Sequence, residues 1–291
     1  MKLGLGTAQF GFPYGVTNAV GQISEEEGRR IVTAADENGV DIIDTAAGYG
    51  ESEAILGRLL RAERFKIVTK SLSLPTGNGA AAVESVYVRF QKSLEYLGVE
   101  QLHGLLIHRA ADLLGPHGDR LFERLSTCQS TGQILRFGVS VYTPEEAFLA
   151  VERYPLTLIQ FPLNALDQRM VASGALRFLR ERGLELHARS IFLQGALLAE
   201  PGSGGVSAEL VPYIAGFREI ASSAGMTPLE VALAFVAGQD IDVAIVGITS
   251  SAEFSEILSA FNRGRQLECP PIEFSIADSK LIDPRCWSAR A

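Results

Sequence analysis

An alternation constrains this chain more than any other feature. Short, nearly continuous apolar runs recur, and the stretches between them carry helical spacing. The runs fall at residues 2–6, 40–45, 65–71, 102–108, 134–140, 156–161, 184–190 and 243–248. Segments such as Asp41-Ile42-Ile43-Asp44 and Ala244-Ile245-Val246-Gly247 lack the regular polar positions of a half-exposed strand. They read as parallel strands buried on both faces. Helix signals punctuate the gaps. Ser24-Glu25-Glu26-Glu27 is a capping box in which Glu27 is expected to reach back to the Ser24 amide, and Gly39 closes that helix. Thr143-Pro144-Glu145-Glu146 and Thr227-Pro228-Leu229-Glu230 repeat the device with proline at the first helical position. Leu97-Gly98 and Arg182-Gly183 mark two further helix ends just before strands.

Eight strand–helix units in 291 residues predict a (β/α)8 TIM barrel, an α/β fold in one domain over residues 1–291, with 269–291 as a C-terminal tail. An open doubly wound sheet would place G-x-G-x-x-G after an early strand, and Gly4-Leu5-Gly6-Thr7-Ala8-Gln9 fails at the third glycine. Pro201-Gly202-Ser203-Gly204-Gly205 follows the seventh run and is expected to be a mobile loop at the active end. Lys and Arg number 26 against 34 Asp and Glu, a net charge of −8 with no basic stripe, which argues against nucleic acid as a partner. No apolar stretch approaches the roughly 20 residues of a bilayer span, so no membrane association is expected. The start, Met1-Lys2-Leu3-Gly4, turns polar too early for a secretory signal. Cys128, Cys269 and Cys286 form no C-x-x-C pair. That suits a reducing cytoplasm and gives no metal site.

Barrel chemistry sits where the strands end. The second run ends in Asp44, its loop carries Tyr49, the third run ends in Lys70 and the fourth in His108. An acid, a phenol, an amine and an imidazole thus reach one rim. A buried lysine after Phe65-Lys66-Ile67-Val68-Thr69 needs a counter-charge, and Asp44 is the nearest candidate. His103 lies five residues before His108, on the opposite face by the strand period, and is read as structural together with His117 and His187.

The segment Asp44-Thr45-Ala46-Ala47-Gly48-Tyr49-Gly50-Glu51-Ser52-Glu53-Ala54-Ile55-Leu56-Gly57 resembles the signature of the aldo-keto reductases. Ile67-Val68-Thr69-Lys70, Leu105-Leu106-Ile107-His108, Gly138-Val139-Ser140, Ile159-Gln160-Phe161-Pro162-Leu163-Asn164 and Leu193-Gln194-Gly195-Ala196-Leu197-Leu198 continue the resemblance in order, from Gly4 to about Leu258. It implies an enzyme that reduces a small-molecule aldehyde or ketone with NAD(P)H. Asp44, Tyr49, Lys70 and His108 match the family's catalytic tetrad. In that scheme Tyr49 donates the proton. Lys70 draws the phenol toward phenolate, Asp44 holds Lys70, and His108 steers the carbonyl oxygen.

The resemblance also implies cofactor contacts. Ser140 and Gln160 match positions that bind the nicotinamide amide; Arg189, Ser190, Gly195, Gly247, Ser250, Glu253 and Glu256 complete the expected set. Val141 stands where the family often has asparagine, and Arg189 where it often has an aromatic ring. Arg189 can meet the cofactor's pyrophosphate, an anionic substrate or a structural carboxylate. Relatives that use NADP place a base after the eighth strand, whereas residues 247–256 hold none and Ser250-x-x-Glu253 is a capping box. A weaker NADP preference, with NAD accepted, is therefore expected. Ala188-Arg189-Ser190-Ile191-Phe192-Leu193-Gln194-Gly195 resembles bacterial members of sugar metabolism, implying a sugar-derived carbonyl. Phe10, Phe12, Tyr14 and Trp287 are candidates for a substrate wall. Two other readings stay open: a lyase or aldolase forming a Schiff base on Lys70, and a non-catalytic dinucleotide-sensing barrel.

Overall fold

A computed structural model of the chain describes residues 1–76, 79–201, 206–264 and 266–287. The eight runs become β1 (Lys2–Gly6), β2 (Ile42–Asp44), β3 (Lys66–Lys70), β4 (Leu102–Ile107), β5 (Ile134–Ser140), β6 (Leu158–Pro162), β7 (Glu185–Arg189) and β8 (Val243–Gly247). All pair in parallel with their sequence neighbours, and β1 pairs with β8, setting Leu3 opposite Ala244 and Leu5 opposite Val246. The ring is closed. The expected (β/α)8 barrel is the fold observed. Strands β2 and β3 are shorter than their apolar runs, yet Thr45 N still donates to Val68 O and Ser71 N to Leu106 O, both at 2.9 Å. The ladder thus outlasts the regular strand.

The outer layer contains α1 (Glu25–Glu37), α2 (Ser52–Leu59), α3 (Gly79–Leu97), α4 (Gly118–Ser130), α5 (Pro144–Arg153), α6 (Ala175–Glu181), α7 (Val211–Ser223), α8 (Pro228–Ala237) and α9 (Ser251–Gly264). The main core lies between these helices and the outward strand faces, where Leu5, Ile43, Leu105, Ile159 and Leu186 are buried. The lumen is filled separately, by Ile42, Val243 and Ile245 and by Val68, Leu106 and Leu158. Glycine makes room for them. A Cβ on Gly4 would lie 2.6 Å from Ile245 Cδ1, and one on Gly104 would lie 2.6 Å from Leu158 Cδ2. Small residues on some strands thus let large ones from others cross the axis.

Helix ends follow the sequence except in where the capping carboxylates reach: Glu146 accepts from Tyr142 N and Glu253 from Thr249 N, each one residue before the expected amide, and Glu27 departs further. Gly39, Gly98 and Gly183 all take positive φ, the left-handed conformation that favours glycine after a helix. Thr227 and Glu230 form a complete capping box. Ser24 Oγ accepts from Glu27 N at 3.2 Å, but the Glu27 carboxylate does not return to Ser24. It accepts from Ser251 N of α9 at 2.5 Å and from Arg30 at 2.6 Å. A partner 224 residues away competes successfully because closure of β1 on β8 sets α1 beside α9.

The described part of the tail packs on the barrel through Ile276, whose N–H donates to Leu166 O at 2.8 Å, and through buried Ile282. Trp287 donates to Lys280 O within the tail. Of the predicted mobile loop, residues 202–205 lie outside the described residues. Among the described residues no single helix is long and apolar enough to cross a membrane.

Candidate active site

Asp44 and Lys70 are the last residues of β2 and β3, and both face the lumen at the strand-end rim. Lys70 is only 1% exposed. Its Nζ donates to Asp44 Oδ1 at 2.6 Å and to Thr45 O at 2.9 Å. The second carboxylate oxygen of Asp44 accepts from Gln160 Nε2 of β6 at 2.7 Å. Three strands therefore share one buried hydrogen-bond network. Burial pushes the Lys70 ammonium below its ordinary range, and the Asp44 carboxylate opposes that shift.

Tyr49 lies over this pair, with its ring centre 5.1 Å from Lys70 Nζ. Its loop is clamped to the helical turn Ala8–Gly11 that follows β1. A Cβ on Gly11 would fall 1.7 Å from Tyr49 O, and Gly50, at φ +53, would meet Gly11 O at 2.5 Å. Only glycine at both positions allows the two backbones to approach so closely. His108 follows β4, its ring centre 5.9 Å from that of Tyr49 and nearly perpendicular to it. The four residues read as a tetrad thus gather at one rim.

Their electrostatics differ from the sequence expectation. Lys70 was expected to draw the phenol toward phenolate, but its hydrogen bonds go to Asp44 and Thr45. Burial, and then the Asp44 carboxylate, raise the Tyr49 phenol above its ordinary value, with the Arg189 charge opposing them. Tyr49 keeps its proton through the neutral range. His108 is pushed down to about 4 by burial, Lys70 and Arg189, and is a neutral imidazole at pH 7.

A cavity of about 330 Å³ opens beside Tyr49. Its walls come from four regions: Gly6–Gln9 and the following loop, Asp44 at the end of β2 with Tyr49 in the loop after it, the turn after β7, and β8 with the start of α9. Of the expected cofactor residues, Arg189, Ser190, Gly195, Gly247 and Glu253 line it. Ser140 and Gln160 are buried and do not, although Arg189 Nε reaches Ser140 Oγ at 3.4 Å. Ser250 accepts from Glu253 N at 3.1 Å and caps α9, while Glu256 is exposed and away from the cavity. The turn after β7 is strained. Ser190, Leu193 and Gln194 all have positive φ, a conformation that costs non-glycine residues about 1 kcal/mol or more and clusters at ligand sites.

Asn164 Oδ1 accepts from the backbone of Leu166 and Asp167, and its Nδ2 donates to Ser190 O at 3.0 Å. It shapes the turn. Phe12 sits 5.9 Å from the Tyr49 ring and Tyr14 lines the cavity, but Phe10 is buried in the core and is no substrate wall. Trp287 does not line the cavity either. Sequence reasoning missed Gln9, which lines the cavity and has a buried Oε1 without a hydrogen-bond partner. It also missed Tyr142, which lies beneath the guanidinium of Arg189. Neither belongs to a recognisable motif.

The three histidines read as structural lie elsewhere or apart from the tetrad. His103 and His187 both bond Glu185 Oε1 at 2.8 Å at the start of β7, with Arg136 on the other oxygen. His117 precedes α4.

A buried acceptor tests whether the rim suits a nicotinamide amide. Gln160 is 0% exposed, gives its N–H to Asp44, and leaves Oε1 without a hydrogen-bond partner. That oxygen is free to accept from an amide donor, although the side chain lies beneath the rim and outside the cavity lining.

A 29% identical match over 205 residues is the oxidoreductase sirO of Leptosphaeria maculans, covering 66% of this chain and 60% of that protein. An aldo-keto reductase of Mycolicibacterium paratuberculosis is 32% identical over 133 residues, 46% of each chain. These matches therefore span less than two thirds of either relative's length. In fold, aldo-keto reductase AKR11C1 of Bacillus halodurans superposes with a TM-score of 0.72 at 19% identity, over 91% of this chain and 90% of that one. Glycerol dehydrogenase AKR11B4 of Gluconobacter oxydans gives 0.69 at 22% identity, covering 91% and 89%. The sequence model of the aldo/keto reductase family matches residues 2–268. With nearly the whole chain matched, this protein belongs to the aldo/keto reductase family.

Proposed function

We propose that this protein reduces an aldehyde or ketone to the alcohol with a nicotinamide cofactor. The observation that carries this reading is the Tyr49 phenol at the cavity wall, seated over a buried Lys70–Asp44 pair. A bound reduced nicotinamide would supply the hydride that the carbonyl carbon accepts. As the C=O π electrons move onto oxygen, Tyr49 Oη–H gives that oxygen its proton and is later reprotonated from solvent. Lys70 provides positive charge beneath the developing tyrosinate, held by Asp44 and Thr45 O. Neutral His108 has an N–H available for the carbonyl oxygen and orients it toward the phenol. Ser140 and Gln160 would hold the nicotinamide amide. Ser190, Gly195, Gly247, Ser250 and Glu253 would bound the rest of the dinucleotide.

A weaker than usual NADP preference, with NAD accepted, is part of the proposal, and two contacts support it. The amides that open α9 already have carboxylate partners: Ser251 N donates to Glu27 at 2.5 Å, and Thr249 N to Glu253 at 2.6 Å. A ribose phosphate placed there would meet the Glu27 and Glu253 carboxylates, while the neighbouring cation, Arg30, is already engaged by Glu26 and Glu27. The Schiff-base reading of Lys70 is disfavoured, because its amine is buried, held twice and absent from the cavity wall.

Following nicotinamide absorbance over a panel of aldehydes, ketones and aldoses tests the proposal. Carbonyl-dependent NADH oxidation is the expected result. Tight dinucleotide binding with no turnover would instead support a sensor.

A further inference from the structure

Three formally charged side chains line the cavity: Asp44, Glu253 and Arg189. Two have their charge matched. Asp44 is paired with Lys70, and Glu253 accepts from Thr249 N and Oγ1 at the positive end of α9. Arg189 differs. Among the described residues it has no carboxylate within ion-pair distance, and its contacts are Ser140 Oγ and Ser190 Oγ at 3.4 Å and Val141 O at 3.1 Å.

Those contacts also orient it. A guanidinium has five N–H groups; Nε, Nη1 and Nη2 each direct one at the protein. One N–H remains on each terminal nitrogen, a pair suited to two oxygens of one anion. The plane is supported by the Tyr142 ring, 4.0 Å below. Arg285 from the tail lies 3.6 Å from the same ring centre, but Asp283 matches its charge. Among the described residues no carboxylate is left over to compensate Arg189. Tyr49 and Tyr14 are neutral phenols, His108 is a neutral imidazole, and Lys70 is already matched by Asp44. A half-buried cation facing a cavity without a counter-charge is poorly solvated, and a bound anion relieves that cost.

We infer that Arg189 binds a carboxylate carried by the substrate, so that the compounds reduced at Tyr49 are carbonyl acids. This rests on the reductase reading above. Arg189 ends β7 on the same rim as Tyr49, so the carboxylate would sit a few bonds from the reacting carbon. The competing anion is the cofactor's own pyrophosphate.

The experiment compares short ω-oxo carboxylates with unsubstituted aldehydes of equal length, using NADH and the full chain. Wild type should prefer the acid by about 10-fold or more in kcat/KM at one chain length at least, the scale of a charge-assisted hydrogen bond. Arg189→Gln should bring that ratio near one, and Arg189→Lys should retain part of it. Calorimetric titration of glutarate into the dinucleotide-free protein should show binding that Arg189→Gln abolishes. A wild-type ratio near one would overturn the inference. So would an Arg189→Gln variant that keeps the ratio but loses NADH affinity, which would assign the side chain to the pyrophosphate. Glutarate binding that depends on Arg189, without turnover of any carbonyl, would retain the anion site and overturn the reductase reading instead.

Discussion

The two ends of the barrel manage charge differently. At the strand starts, Asp41 is shared by Lys2 and Lys66 at 3.2 and 3.4 Å, and Glu185 by His103, His187 and Arg136. Arg180 faces Asp240 and Asp242. Every one of these charges meets its opposite, and several of the side chains are half exposed. At the strand ends, the ion pair of Lys70 and Asp44 is buried, and Arg189 has no counter-ion among the described residues. The first arrangement stabilises only the fold. The second leaves bonding capacity for a ligand, as expected of the catalytic face of this architecture.

The largest effect should come from removing one oxygen. Tyr49→Phe keeps the ring against Phe12 and His108 but deletes the proton donor. Turnover should fall about 10²–10⁴-fold, the usual contribution of a general acid, with NADH affinity nearly unchanged. Steady-state rates and a fluorescence titration would show both. A variant as fast as the parent would break the comparison, since the rim would then hold no proton donor.

The same substitution at two lysines sharpens it further. Lys70→Met leaves Asp44 buried beside a thioether, and loss of one partner of a buried pair costs about 3–5 kcal/mol. Lys2→Met removes a pair whose lysine is 60% exposed, which should change stability by less than about 1 kcal/mol. Urea unfolding at neutral pH measures both. Equal losses would mean that burial does not distinguish the two ends.

Much of this contrast was visible in the sequence, because strand alternation and strand-end position are local properties. Asp44, Lys70 and His108 each sit where a short apolar run stops, with Tyr49 in the loop after the first of them, and such stops can be found by counting. Gly39, Gly98 and Gly183 were legible for the same reason. Contacts made across the closed ring were not. Gln160 reaches Asp44 over 116 residues, and Glu27 reaches Ser251 over 224. Each depends on which strands oppose or adjoin, which a hydrophobic period does not encode. Phe10 followed the same rule in reverse: it stands just after β1, beside residues that line the cavity, yet turns into the core beneath α1, where its ring meets Gly28.

A smaller effect belongs to the strand-start end. Hydrogen bonds from His103 and His187 hold the Glu185 carboxyl far below its ordinary value of about 4.5 against the opposing effect of burial. A depressed folded-state value means that the carboxylate stabilises the protein above the unfolded value, and that this contribution is lost as pH falls below it. Glu185→Gln should therefore cost about 1–3 kcal/mol at pH 7, and the deficit should shrink as pH falls from about 5 toward 2. Turnover at pH 7 should not change, because Glu185 lies away from the cavity. A pH-independent deficit would assign the loss to packing.

The smallest effect concerns the cofactor. Glu27 holds the Ser251 amide at the start of α9 and adds a negative charge where the proposed dinucleotide site ends. Its carboxyl is held below the ordinary range chiefly by that amide, so it is ionised at neutral pH. Glu27→Ala frees one N–H at a helix N-terminus and removes one anion, and both changes favour an added phosphate. NADP should then bind about two- to five-fold tighter, matching the usual strength of a charge at a helix end, while NAD affinity changes less. Dissociation constants for both dinucleotides, measured in parallel on wild type and variant at low salt, decide the point. Because the interaction is electrostatic, the NADP gain should fade in high salt. An equal shift for both cofactors would mean that Glu27 only fastens α1 to α9, and that NADP discrimination lies elsewhere on the rim.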